Sequence, residues 1–152
     1  DVEIDISNNF FMTGFTNVKL DKNLNNENYI LLMKFDSRGE MKWRNILGTF
    51  FDEEAHSLAI DSSGNIYVTG YTLGGLDGNT NYGKSDLFII KYNNNGIKQW
   101  TQQFGGSGHE WVSRMEFDSS RNIYLTGYTY SNLDNNTNSG SSDIFLAKYN
   151  SL

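Results

Sequence analysis

The chain has 152 residues, 38% of them apolar and 14% aromatic, with a net charge of −6 and neither cysteine nor proline. So many aromatic side chains exclude a disordered chain, and the acidic balance with no basic stripe excludes nucleic acid as a partner. No run of about 18 apolar residues is present to insert in a membrane, and the lack of cysteine removes disulfides, thiolate metal sites and cysteine nucleophiles together.

Taken in chain order, the predicted elements are short strands that return at a fixed interval. Val2–Ile6 is a first apolar-polar segment, A. Segment B follows as Asn9-Phe10-Phe11-Met12-Thr13-Gly14-Phe15-Thr16, segment C as Tyr29–Phe35, and segment D as Met41–Leu47 around Trp43. The same order then returns: A at Ala55–Asp61, B at Asn65–Thr72, C at Asp86–Tyr92, D at Ile97–Phe104 around Trp100. A third round gives A at Val112–Asp118, B at Asn122–Thr129 and C at Asp143–Tyr149. Each segment is rich in Ile, Tyr, Phe, Val and Thr and is bounded by Gly, Asn, Asp or Ser, which are strand signals. Asp61-Ser62-Ser63-Gly64 and Asn93-Asn94-Asn95-Gly96 carry the chemistry of hairpin turns that need a left-handed residue. Arg121 takes the place of that glycine in the third round, which predicts a slightly strained turn. No window keeps a helical stripe.

Segments B and C are apolar on both faces, as in Phe88-Ile89-Ile90 and Ile144-Phe145-Leu146. A sheet with one wet face would alternate. Burial on both sides fits a small sheet held between copies of itself, as in the blades of a β-propeller. The expected fold is therefore all-β: three four-stranded repeat units of about 57 residues in one repeat region spanning 1–152. Their bounds fall near 1–51, 52–108 and 109–152, the third unit lacking its last strand. A ring needs about 4–8 blades, so three predict an arc that is part of a longer protein or is completed by other chains. Its two apolar flanks would be association surfaces. The opening Asp1, rather than Met, also predicts an excised or processed segment.

The pattern resembles the bacterial SBBP repeat. The residues that carry the likeness are Asp61-Ser62-Ser63-Gly64-Asn65-Ile66-Tyr67-Val68-Thr69-Gly70-Tyr71-Thr72, then Ser85-Asp86-Leu87-Phe88-Ile89-Ile90-Lys91-Tyr92, then the Trp100 strand ending Phe104-Gly105-Gly106. The likeness is specific in the second repeat and degraded in the first. It implies a propeller in a surface or secreted bacterial protein and supplies no catalytic residues; the blade count calls for a protein partner or copies of the chain itself to complete the ring.

The B–C loops carry the candidate metal chemistry. Asp77, Asn79 and Asn81 are followed by Asp86; Asp134, Asn136 and Asn138 are followed by Asp143. Oxygen side chains at alternate positions with a later carboxylate are how Ca²⁺ gathers ligands. The same residues also build Asx-turns and tolerate positive φ, and the sequence leaves both readings open. The first copy, Asp21-x-Asn23-x-Asn25, lacks the closing acid. His56 and His109 occupy non-equivalent places and read as exposed loop histidines. Trp43 and Trp100 recur and read as packing. Trp111 has no aromatic counterpart at Glu54 and is the candidate for stacking a ligand. Lys34, Lys91 and Lys148 recur with their stems packed. The function these observations support is a non-enzymatic binding or scaffold module of a surface or extracellular protein, with loops suited to stiffening by Ca²⁺; the alternatives are a lectin-like glycan binder, or a hydrolase or lyase fragment for which no non-repeating acid-base cluster is visible.

Overall fold

The computed structural model describes residues 1–17 and 28–150. Eleven strands are present among them: β1 Val2–Ile4, β2 Phe10–Thr16, β3 Tyr29–Phe35, β4 Met41–Leu47, β5 Glu53–Ile60, β6 Ile66–Thr72, β7 Asp86–Tyr92, β8 Lys98–Phe104, β9 Glu110–Phe117, β10 Ile123–Thr129 and β11 Asp143–Tyr149. They form antiparallel sheets in the orders β1-β2-β3-β4, β5-β6-β7-β8 and β9-β10-β11. The first strands of successive sheets touch, β1 with β5 and β5 with β9, so the sheets fan from a common inner edge as propeller blades do.

The two-sided apolar segments explain the stacking. On β6 and β7 the side chains of Ile66, Val68, Phe88, Ile90 and Tyr92 join a core with Phe11, Ile30 and Leu32 of the first blade. Their neighbours on the opposite face, Tyr67, Leu87 and Ile89, join a second core with Val112, Met115, Ile123 and Leu125 of the third. All seven residues of β6 are buried. The outer flanks of the arc are wet: Ile144 is 87% exposed, Leu146 73% and Ile4 65%.

Trp43 packs on the first core and Trp100 on the second, as their recurrence predicts. The recurring lysines hold their ammonium groups over aromatic rings, Lys34 at 5.1 Å from the Phe11 ring centre, Lys91 at 5.2 Å from Tyr67 and Lys148 at 5.4 Å from Tyr124. Each is a cation–π contact.

Some details differ from the sequence expectation, and β1 ends at Ile4 rather than Ile6. The inner strands β5 and β9 begin two residues early, at Glu53 and Glu110. Those acids are fully buried and hydrogen-bonded, which overrides the low strand propensity of glutamate. His56 lies within β5, not in a loop. The turn expectation holds: Gly39, Gly64 and Gly96 have φ of 83°, 79° and 76°, and Arg121 is forced to 65°.

Candidate functional site

Three places concentrate polar side chains. The first is the B–C loop. In the second blade Asn81 donates from Nδ2 to the Leu73 carbonyl (2.6 Å) and accepts at Oδ1 from the Gly83 N–H (2.9 Å). In the third blade Asn138 does the same with Thr129 (3.1 Å) and Gly140 (3.0 Å). Asn79 donates to the Leu76 carbonyl and Asn136 to the Leu133 carbonyl. Asp77 and Asp134 sit at φ of 54° and 46°. The Asp77 carboxylate is engaged by Lys98 and Thr101. Asp86 accepts at Oδ2 from the Tyr82 N–H (2.8 Å), and Asp143 at Oδ2 from the Ser139 N–H (2.7 Å). The Asn81–Gly83 and Asn138–Gly140 bonds are those of Asx-turns. Among the described residues no group of three or more His, Asp or Glu gathers as a metal would need. The first copy, Asp21 to Asn25, lies outside the described residues.

The second place is the joint between blades, where the chain crosses from the outer strand of one blade to the inner strand of the next. Glu53 accepts from the Thr49 N–H and hydroxyl, both 2.6 Å, and from the Thr72 hydroxyl at 2.9 Å. Glu110 accepts from the Gly106 N–H (3.0 Å), Thr129 (2.9 Å) and Ser131 (2.8 Å). Burial pushes the Glu53 carboxyl above its ordinary range, against the pull of those donors. Asp86 is raised by burial too, with Gln103 pulling it back and Glu110 adding to the rise. Its Oδ1 is buried without a hydrogen-bond partner. A Cβ on Gly105 would stand 2.2 Å from that oxygen and 2.8 Å from Glu110 Oε2, so only glycine lets both acids close over the crossover. Tyr29 fills the Asp86 position in the first blade, against Gly48. Gly105, Gly106 and Gly108 thus serve packing, in keeping with the reading of this stretch as a crossover.

The third place is the rim where blades two and three meet. Trp111 lies 4.5 Å from Tyr71, ring centre to ring centre, and 6.4 Å from Tyr128. His56 stacks on Tyr71 at 5.6 Å and meets the Trp111 edge at 6.4 Å. Tyr130 continues the run, 6.1 Å from Tyr128. Glu54 sits among them, 3.6 Å from His56 Nε2 and accepting from Asn28 Nδ2 at 2.9 Å. Burial raises the Tyr71 hydroxyl, with the Glu54 charge reinforcing it. Burial lowers His56 more than Glu54 raises it. Sequence reasoning singled out Trp111 but missed Tyr71, Glu54 and His56 as its company. The available signal was the departure from the repeat: Glu54 faces Trp111 in the alignment, and His56 faces Ser113. His109 stands apart, with Nδ1 3.0 Å from Ser85 Oγ.

Comparison with known proteins agrees with this architecture. The family model of the SBBP beta-propeller repeat matches residues 53–77 and 99–134. An uncharacterized WD repeat-containing protein of Acanthamoeba polyphaga mimivirus is 30% identical over 152 aligned residues, covering 81% of this chain. The regulatory protein FlaEY of Caulobacter vibrioides is 28% identical over 134, again covering 81% of this chain. The chain spans 11% and 14% of the lengths of these two relatives. The chain carries repeats of the SBBP beta-propeller family, and its sheets are propeller blades.

Proposed function

We propose that this propeller region is a non-catalytic binding module of a surface or secreted bacterial protein, and that the rim between its second and third blades is its contact surface. One observation carries the reading. Recurring residues have structural work: Glu53 with Thr72 and Glu110 with Thr129 tie the joints, and Trp43 and Trp100 pack on the cores. The residues that break the repeat, Glu54, His56 and Trp111, come together with Tyr71 at one rim. A repeat that departs from its own pattern there is free to specialise there. Hydrogen bonds of the Asx-turns hold the flanking loops and frame this rim.

A protein partner is the leading reading, because aromatic side chains beside a few charged groups are what interface cores select. A glycan is the second. The run Trp111–Tyr128–Tyr130 offers ring faces, and Glu54 and Asn28 offer acceptors and donors beside them.

The test uses the whole chain against a glycan array and a displayed peptide library, comparing wild type with Trp111→Ala and His56→Ala. A ligand whose binding falls with both variants supports the reading, and its class decides between the two. Ligands indifferent to both variants, or turnover abolished by Glu54→Gln, would overturn it.

A further inference from the structure

Each B segment carries two aromatic rings four residues apart: Phe11 and Phe15, Tyr67 and Tyr71, Tyr124 and Tyr128. The first ring of each pair holds a cation of the chain's own, from Lys34, Lys91 and Lys148 in turn. Among the described residues the second ring holds none. At Tyr71 an acid stands beside the ring instead. Glu54 is its cross-strand partner, and burial of the Tyr71 hydroxyl is reinforced by the Glu54 and Asp52 charges in raising it.

Glu54 has no strong counter-charge. Arg38 and Lys42 pair with Asp36 and Glu40, Lys98 with Asp77 and Arg114 with Glu116. No ion pair joins Glu54 to a lysine or arginine among the described residues. His56 Nε2 stands 3.6 Å from Glu54 Oε2, too far for a hydrogen bond. Asn28 bonds Oε1 but carries no charge.

The place is open to a ligand from within the arc. Asn28 belongs to the first blade, Glu54, His56 and Tyr71 to the second, and Trp111 to the third, so the neighbours on both sides are present. The Glu54 side chain is still 18% exposed and that of His56 34%, and Trp111 is half-buried.

A carboxylate held among ring faces selects a flat cation. Guanidinium forks onto a carboxylate and stacks on an indole, whereas an ammonium is a hydrated point charge. A neutral ligand would leave the acid as it is, in a chain of net charge −6. Taking this rim as the contact surface proposed above, we infer that it receives an arginine side chain of a protein partner, paired with Glu54 and stacked on Trp111.

The experiment titrates the full chain with the acetylated, amidated tripeptide Gly-Arg-Gly and with its citrulline and lysine counterparts. The indole N–H signals of Trp43, Trp100 and Trp111 in nuclear magnetic resonance spectra are followed. The arginine peptide is expected to move the Trp111 signal with a dissociation constant on the order of millimolar. Lysine should bind more weakly, and citrulline at least about tenfold more weakly. Glu54→Gln should bring arginine down to the citrulline level, with unmoved Trp43 and Trp100 signals showing that the fold is kept. Equal binding of arginine and citrulline, a preference that survives Glu54→Gln, shifts confined to Trp43 and Trp100, or no shift at all would overturn the inference. Library ligands that depend on Trp111 while the rim ignores arginine would leave the contact surface standing and this inference fallen. Library ligands indifferent to Trp111 would remove both.

Discussion

Glu53 and Glu110 stand 57 positions apart and accept the same hydrogen bond, from Thr72 Oγ1 and Thr129 Oγ1, each at 2.9 Å. Each acid ties the start of an inner strand to the end of the next strand out and to the crossover before it. Replacing Glu110 by alanine leaves the Gly106 N–H without its acceptor and takes from the Ser131 and Thr129 hydroxyls one of the two acceptors each has. Each stranded buried group costs about 1–3 kcal/mol. Urea unfolding of Glu110→Ala should show a loss of at least that size, and Thr129→Val a smaller one.

Glu53 and Asp61 together give stability a pH dependence with two limbs. The folded Glu53 carboxyl titrates above its usual 4.5 because of burial. The folded state therefore holds its proton more tightly than the unfolded state, and stability falls as pH rises from about 4.5 through the raised value. Asp61 is the opposite case. Burial works against it, but donors from Asn65 and Ser63 hold it below 3.8. Its contribution is present above 3.8 and is lost as pH falls below that. Melting curves across pH should flatten on the upper limb in Glu53→Gln and on the acid limb in Asp61→Asn.

The glycine of the repeated B segment separates the inner strands sharply. A Cβ on Gly70 would stand 1.8 Å from the Glu54 carbonyl oxygen, and on Gly127 1.9 Å from that of Trp111. Both lie beside a register shift between inner strand and neighbour. At Gly14 nothing lies within 4 Å, since β1 is only three residues long. Gly70→Ala and Gly127→Ala should unfold or rearrange their blades, while Gly14→Ala should melt within a few tenths of a kcal/mol of wild type. Circular dichroism of the three variants checks the order.

Arg121 carries a φ of 65° where the second blade has glycine at 79°. A side chain in that region costs about 1–2 kcal/mol. Arg121→Gly should therefore stabilise the chain by around 1 kcal/mol, after the greater backbone freedom of glycine in the unfolded state is subtracted.

The Asp77 carboxylate is already neutralised by Lys98 and bonded by Thr101. A chelator should leave the melting temperature where it was, and millimolar Ca²⁺ should not raise it. A rise with Ca²⁺ that Asp77→Asn or Asp134→Asn removes would assign the ion to these loops.

Segment C was legible to the residue and segment B to within one residue at its start, because β-branched and aromatic runs bounded by turn residues are set locally. The inner strands were legible only in part. Glu53 and Glu110 look like turn residues until their threonine donors, 19 positions on, are known. The pair could have been found, since both members recur with the repeat. Trp111 was visible as an odd residue, but its contact with Tyr71 crosses a joint between blades. No local pattern reports such a contact, whereas His56 already lay inside the predicted segment Ala55–Asp61, at odds with its reading as a loop histidine.

The middle blade owes both of its dry faces to other blades, whereas each flanking blade has only one. Unfolding should therefore run inward from the ends, with β6 and β7 giving up their amide protons last. In such a stack, cooperativity is a property of adjacency: adding a unit at either end would protect interior units it never touches.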